Sequence, residues 1–175
     1  MTIVSITDHP VSEELGASVG RLAGLLASDH FPGADRAALK RYASGQAPPL
    51  AFYRTWLRHM SDELPGEDDA KAWALMAWGL ALMGAQAHRR DRPLGAALAG
   101  SGYSEARLER LLAADADARL DLFASLVRFL ANKGEGFDWL DAARLLLTRD
   151  PDRRESTHRR IAAAYYRRIP TTKEK

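Results

Sequence analysis

The sequence contains no cysteine. That absence excludes disulfides, thiolate nucleophiles, Cys-type zinc sites and iron–sulfur ligation together, and it fits a reducing compartment. Histidine is sparse: His9, His30, His59, His88 and His158 are dispersed without ligand spacing inside any one helical segment, so no metal site or cofactor is expected. There is no dinucleotide-binding glycine fingerprint, no P-loop, no His-Glu-x-x-His pair and no nucleophile elbow. The N-terminus lacks a basic stretch followed by an apolar one, and nothing marks it for secretion. The longest uncharged apolar segment, Ala72 to Ala87, spans only 16 residues. A membrane-spanning helix needs roughly 20, so this segment reads as a buried core helix, and the protein as cytoplasmic with no membrane partner. Alternating β-branched strand runs, internal repeats and low-complexity tracts are also missing.

What is present is apolar residue and charge in quantity. At 175 residues and 46% hydrophobic, the chain is long enough to bury one sizeable core and too short to require a second domain. The net charge of +2 conceals an asymmetry. Residues 1–86 hold 7 Lys/Arg against 10 Asp/Glu, whereas residues 87–175 hold 18 against 13. A basic half of this kind points toward a polyanionic partner.

Helical periodicity runs almost throughout. Ser12-Glu-Glu14 forms a capping start for a helix carrying Leu15, Val19, Leu22 and Leu26. After the Pro32-Gly33 break, the pattern predicts helices over Ala34–Ala43 and Leu50–Met60, then, past Pro65-Gly66, the long apolar helix. Glu67-Asp68-Asp69 lie at its positive end and read as dipole compensation. The charged run from His88 to Pro93 reads as a solvated connector. Beyond it, helices are predicted over Leu94–Ala99, Ser104–Ala114, Asp117–Asn132, closed by Lys133-Gly134, and Asp138–Arg149, with a last helix from Asp152 and a frayed tail over 170–175. The fold class is therefore all-α: a compact bundle of about eight or nine helices in a single domain, with an N-terminal lobe over about 12–87 and a C-terminal lobe over about 93–168. Asp138 and Asp141 are three apart, but Asp138 stands at a helix start, where capping is its ordinary role.

The basic residues form compact groups. His88-Arg89-Arg90-x-Arg92 and His158-Arg159-Arg160 are two; Lys40-Arg41 and the set Arg149, Arg153 and Arg154 around Pro151 are others. A guanidinium suits phosphate because its planar donor fork binds two oxygens at once. Charge clustering alone nominates Arg89, Arg90, Arg153, Arg154 and Arg160 as nucleic-acid contacts. The competing reading is structural. Arg153, Arg160 and Arg167 form a seven-residue stripe beside the apolar Ile161 face, where arginine stems lie over a core edge. Trp56 and Trp139 read as core packing.

From Asp35 to Tyr166 the chain resembles the CasB family, the small subunit of the type I-E CRISPR surveillance complex. The resemblance is carried by Asp35-Arg36-Ala-Ala-Leu39-Lys40-Arg41, Phe52-Tyr53, Leu94 through Ser101-Gly102, Glu105 and Arg107, Arg128, Asp138-Trp139, Ala143-Arg144 and Tyr165-Tyr166. It implies a non-catalytic subunit of an antiviral defence assembly, present as two copies head to tail beside other subunits. Its basic grooves would hold crRNA paired with target DNA and the displaced strand of the R-loop. At matching positions it nominates Arg41, Arg107, Arg128 and Arg144, with Lys40 and Arg36 beside them. Arg128 and Arg144 have a rival reading as internal salt-bridge partners. The alternative function is a helical protein–protein adaptor, marked by an exposed apolar patch and arginines neutralised by nearby acids.

Overall fold

Helix α1 (His9–Ala27), α2 (Gly33–Lys40), α3 (Leu50–His59) and α4 (Glu67–Met83) form the first half of a computed structural model that describes residues 9–169, with side chains from residue 13. Helices α5 (Leu94–Gly100), α6 (Glu105–Ala113), α7 (Ala116–Lys133), α8 (Trp139–Leu147) and α9 (Pro151–Arg168) complete it. The all-α expectation holds, with nine helices among the described residues. Helix α1 begins three residues before Ser12; the Ser12 side chain and the expected tail over 170–175 lie outside the described residues.

Helix α4 is the axis of the core. Its residues are buried without interruption from Ala72 to Ala81, as the uncharged run predicts, and α1, α2, α7 and α8 pack around it. Burial of this kind on every side is what an all-apolar helix requires. Glu67, Asp68 and Asp69 occupy its first turn, where carboxylates offset the helix dipole. Gly84, at φ 79°, turns the chain out of the helix four residues earlier than the apolar run ends.

Small residues set the closest approaches. Helix α5 packs along α9 through Gly95: a Cβ there would lie 2.1 Å from the Ile161 carbonyl oxygen. The Tyr165 hydroxyl donates to the Tyr103 carbonyl at 2.6 Å and closes the same contact. Side-chain caps fix four helix starts, with Ser104, Asp115, Asp138 and Asp150 each accepting a backbone N–H of the first turn. Gly134, at φ 67°, ends α7 in the left-handed conformation that favours glycine.

The run from His88 to Pro93 departs from a solvated connector. Arg89 N donates to Phe137 O at 2.9 Å, Phe137 N to Ala87 O at 3.0 Å, and Asp138 N to Arg92 O at 2.8 Å. These bonds form a short parallel bridge between two loops, with His88 opposite Phe137. Arg92 pairs with Glu135 at 3.0 Å, while Arg89 and Arg90 stay exposed. The charges decorate a seam that is held by backbone bonds and anchored by the fully buried Trp139.

Candidate nucleic-acid interface

The cationic side chains divide by what they touch. On α6 and α7, Arg107 lies 5.2 Å from the Tyr103 ring centroid and 5.6 Å from that of Phe129. Lys133, one turn further along α7, approaches the same Phe129 ring at 5.7 Å. Arg128 sits 5.0 Å from the Trp78 ring. All three cations are exposed, and none belongs to an ion pair among the described residues. A ring face orients a guanidinium without neutralising it, so these charges stay available to a polyanion. The salt-bridge reading of Arg128 gives way to this seat on Trp78. Lys133 was expected only to close α7. Its place beside Arg107 depends on packing between helices whose sequences carry no mark of it.

A second group is engaged by carbonyls or acids of the fold itself. Arg36 is half-buried and donates from Nη1 to the Leu26 carbonyl and from Nη2 to the Ser28 carbonyl at 2.8 Å, with Phe31 beneath it at 5.4 Å. It satisfies carbonyls at the end of α1, a cation at the negative end of a helix. Arg144 is half-buried, 3.8 Å from Asp141. Arg89 pairs with Asp91 at 3.1 Å, Arg149 with Asp69 at 2.7 Å, and Arg54 with Asp35.

The remaining candidates are spread around the molecule. Lys40 and Arg41 are exposed at the end of α2. Arg90 is exposed and lies against α1 at Gly20, where a Cβ would meet its Nη2 at 3.1 Å. Arg153 and Arg160 are exposed on α9, and Arg154 is half-buried there. Of the set Arg41, Arg107, Arg128 and Arg144 that the resemblance nominates, Arg107 stands on α6 and Arg128 on α7, the helix that also carries Lys133. Lys40 and Arg41 stand instead at the end of α2.

Among the titratable groups shifted by their surroundings are His88, Asp141 and Tyr166. Burial pulls the His88 imidazole below its usual range; Asp138 and the Phe137 backbone act the other way. His88 Nδ1 accepts the backbone N–H of Trp139 at 3.1 Å, which requires the unprotonated nitrogen. Burial raises the Asp141 carboxyl, although Oδ2 accepts the backbone N–H of Leu94 at 3.0 Å. The exposed Tyr166 hydroxyl donates to Glu105 and is pushed up to about 12, chiefly by that hydrogen bond.

The run Gly16-Ala17-Ser18-Val19-Gly20 has the spelling of a nucleophile elbow, contrary to the expectation that none is present. It lies inside α1, whereas an elbow needs a sharp turn between strand and helix. Among the described residues, no group of three or more His, Asp or Glu is placed to hold a metal, and no helix is long and apolar enough to cross a membrane.

Residues 35–166 match the family model described as CRISPR-associated protein Cse2. No curated protein and no solved structure matches the chain.

Proposed function

The chain belongs to the Cse2 family, the CasB-type small subunit of the type I-E CRISPR surveillance complex, and we propose that it acts there as a non-catalytic clamp on nucleic acid. In this reading it holds crRNA–target DNA pairing and the displaced strand in the opened state, beside the other subunits and a second copy of itself.

The observation that carries the reading is the Arg107, Phe129, Lys133 group, together with Arg128 over Trp78. Exposed cations seated on rings and left without acids provide unneutralised charge at fixed positions. A phosphate backbone is the partner such charge suits. Exchange of a DNA duplex for an RNA–DNA duplex is nearly balanced, so a few backbone contacts decide whether the opened state persists. Sequence selectivity is left to base pairing.

The test is the lifetime of the R-loop in the reconstituted assembly. With Arg107→Glu combined with Arg128→Glu, the lifetime shortens at unchanged subunit incorporation. A wild-type lifetime would overturn the clamp.

The adaptor reading has one observation in its favour. Leu50 is 78% exposed, and Leu57 and Leu64 are each 46% exposed. Leu50 and Leu57 stand on α3 at helical spacing. In a multi-subunit complex such a face suits contact with a neighbouring protein.

A further inference from the structure

Helices α6 and α9 line a groove of about 460 Å³ whose chemistry is opposite to that of the ring-seated cations. Its floor is apolar, formed by the buried Leu108 and half-buried Leu112 of α6 and by Ala162 of α9. Its rim carries Glu105, Glu109 and Tyr166, all exposed. Glu105, Leu108, Glu109 and Leu112 recur at three- and four-residue spacing, which puts them on one face of α6. Arg107 lies off that face, against the rings of Tyr103 and Phe129.

The two carboxylates keep their charge. No ion pair among the described residues includes Glu105 or Glu109. The Tyr166 hydroxyl donates to Glu105, which fixes that carboxylate without neutralising it. Glu105 stands in the first turn of α6, where the helix dipole favours an acid; Glu109 lies beyond that turn and has no such support. Like charges one turn apart disfavour a helix. His158, which also lines the groove, supplies no cation at neutral pH: burial, with Arg119 and Arg154 adding to it, holds the imidazole below its ordinary range. Its Nε2 is buried and has no partner.

An apolar floor under an acidic rim repels a phosphate backbone and matches a long basic side chain. Lysine and arginine lay their stems over apolar surface and keep the charged head at its edge. At this edge the head meets two carboxylates and the ring of Tyr166, which is 50% exposed. We infer that the α6–α9 groove is a docking site for a different protein subunit of the complex, which inserts an arginine or lysine between Glu105 and Glu109 with its stem over Leu108 and Leu112. The inference does not rest on the proposed clamp, since neither Arg107, Arg128 nor Lys133 lines the groove.

The test measures the affinity of the full chain for the remaining subunits in a purified, guide-bearing assembly without target DNA, so that R-loop lifetime plays no part. Glu105→Lys combined with Glu109→Lys lowers that affinity about tenfold with an unchanged urea midpoint. The reversal makes the chain more basic, so a loss runs opposite to any effect through the guide RNA, which added positive charge would attract. Ala113→Trp, at an exposed position lining the groove, fills it without altering its charge and lowers the affinity as well. If the reversed variant proves less stable, Glu105→Gln with Glu109→Gln takes its place, and a loss in the same direction is expected. Wild-type affinity in the folded charge variant, or in Ala113→Trp, would overturn the groove as the seat. Sedimentation of the free chain addresses the other occupant. Self-association that the charge variant abolishes would give the groove to a second copy and overturn its assignment to a different subunit.

Discussion

Gly79 on α4 leaves open the space that the Trp139 ring of α8 fills: a Cβ at position 79 would stand 2.4 Å from the indole Cη2 atom. Trp139 is fully buried, stacks on Phe137 with centroids 4.7 Å apart, and donates from its indole N–H to the Ala87 carbonyl at 2.9 Å. The ring is therefore held from three directions and cannot yield. Gly79→Ala is expected to destabilise the fold by about 1–3 kcal/mol through overpacking, although alanine is the better helix former. Urea unfolding checks this, and unchanged or increased stability would show that the ring moves aside.

This contact shows where sequence reading stops. The α4 helix is legible because an uncharged apolar run of that length has few other fates, and α7 because Leu120, Phe123, Val127 and Leu130 keep helical spacing. Asp138 is legible as a cap because its side chain serves the next few residues of its own chain, Leu140 N among them. The pairing of residues 87–92 with 137–138 is not, since a single parallel bridge has no period and its partners lie some fifty residues apart. The candidate interface divides in the same way. Arg107 and Arg128 were reached through motif resemblance, but Lys133 joins them only through the Phe129 ring. Arg36, nominated beside Arg41, satisfies the end of α1 because the chain reverses at Pro32-Gly33 and lays α2 against that terminus.

Asp141 holds α5 to α8 by accepting the Leu94 N–H while itself buried. Asp141→Ala leaves that donor unsatisfied and is expected to cost about 1–3 kcal/mol. Asp141→Asn keeps an acceptor of the same shape and also removes a carboxylate whose ionised form burial disfavours, so it costs less than the alanine. Denaturant midpoints of the two variants at neutral pH decide the matter. An equal loss in both would mean that the charge beside Arg144, rather than the hydrogen bond, is what counts.

His88 makes the fold sensitive to mild acid. Its folded pKa lies below its ordinary value of 6.5 because burial outweighs the Asp138 carboxylate, with Arg90 adding to the depression. As pH falls, the unfolded chain takes up this proton first. The stability contributed by neutral His88 is therefore full above about 6.5 and is lost as pH drops through that value toward the folded one. Protonation also removes the acceptor for the Trp139 N–H. His158 is depressed as well and adds to the same trend. His88→Gln retains an acceptor without titrating, so its stability should fall less between pH 7 and pH 5 than that of the wild type. Parallel pH profiles for the two proteins would locate the sensitivity elsewhere.

The ring-seated cations make a quantitative claim about salt. Each phosphate contact on a single strand releases counterions and contributes about 0.7 to the slope of log affinity against log salt. Arg107→Gln and Lys133→Gln together remove two charges from one ring and leave Phe129 in place. If both cations meet phosphate, the slope for single-stranded DNA falls by about 1.4. Each substitution also gives up a cation–π contact, at about 0.5–1 kcal/mol for an exposed site. A modest and separate loss of thermal stability is therefore expected, and it leaves the slope untouched. The slope is the discriminating quantity because a variant that merely folds less well lowers the amount of competent protein at every salt concentration. It does not change the number of ions released per binding event. A double variant that binds more weakly with the wild-type slope would mean that Arg107 and Lys133 support the α6–α7 surface without touching the strand.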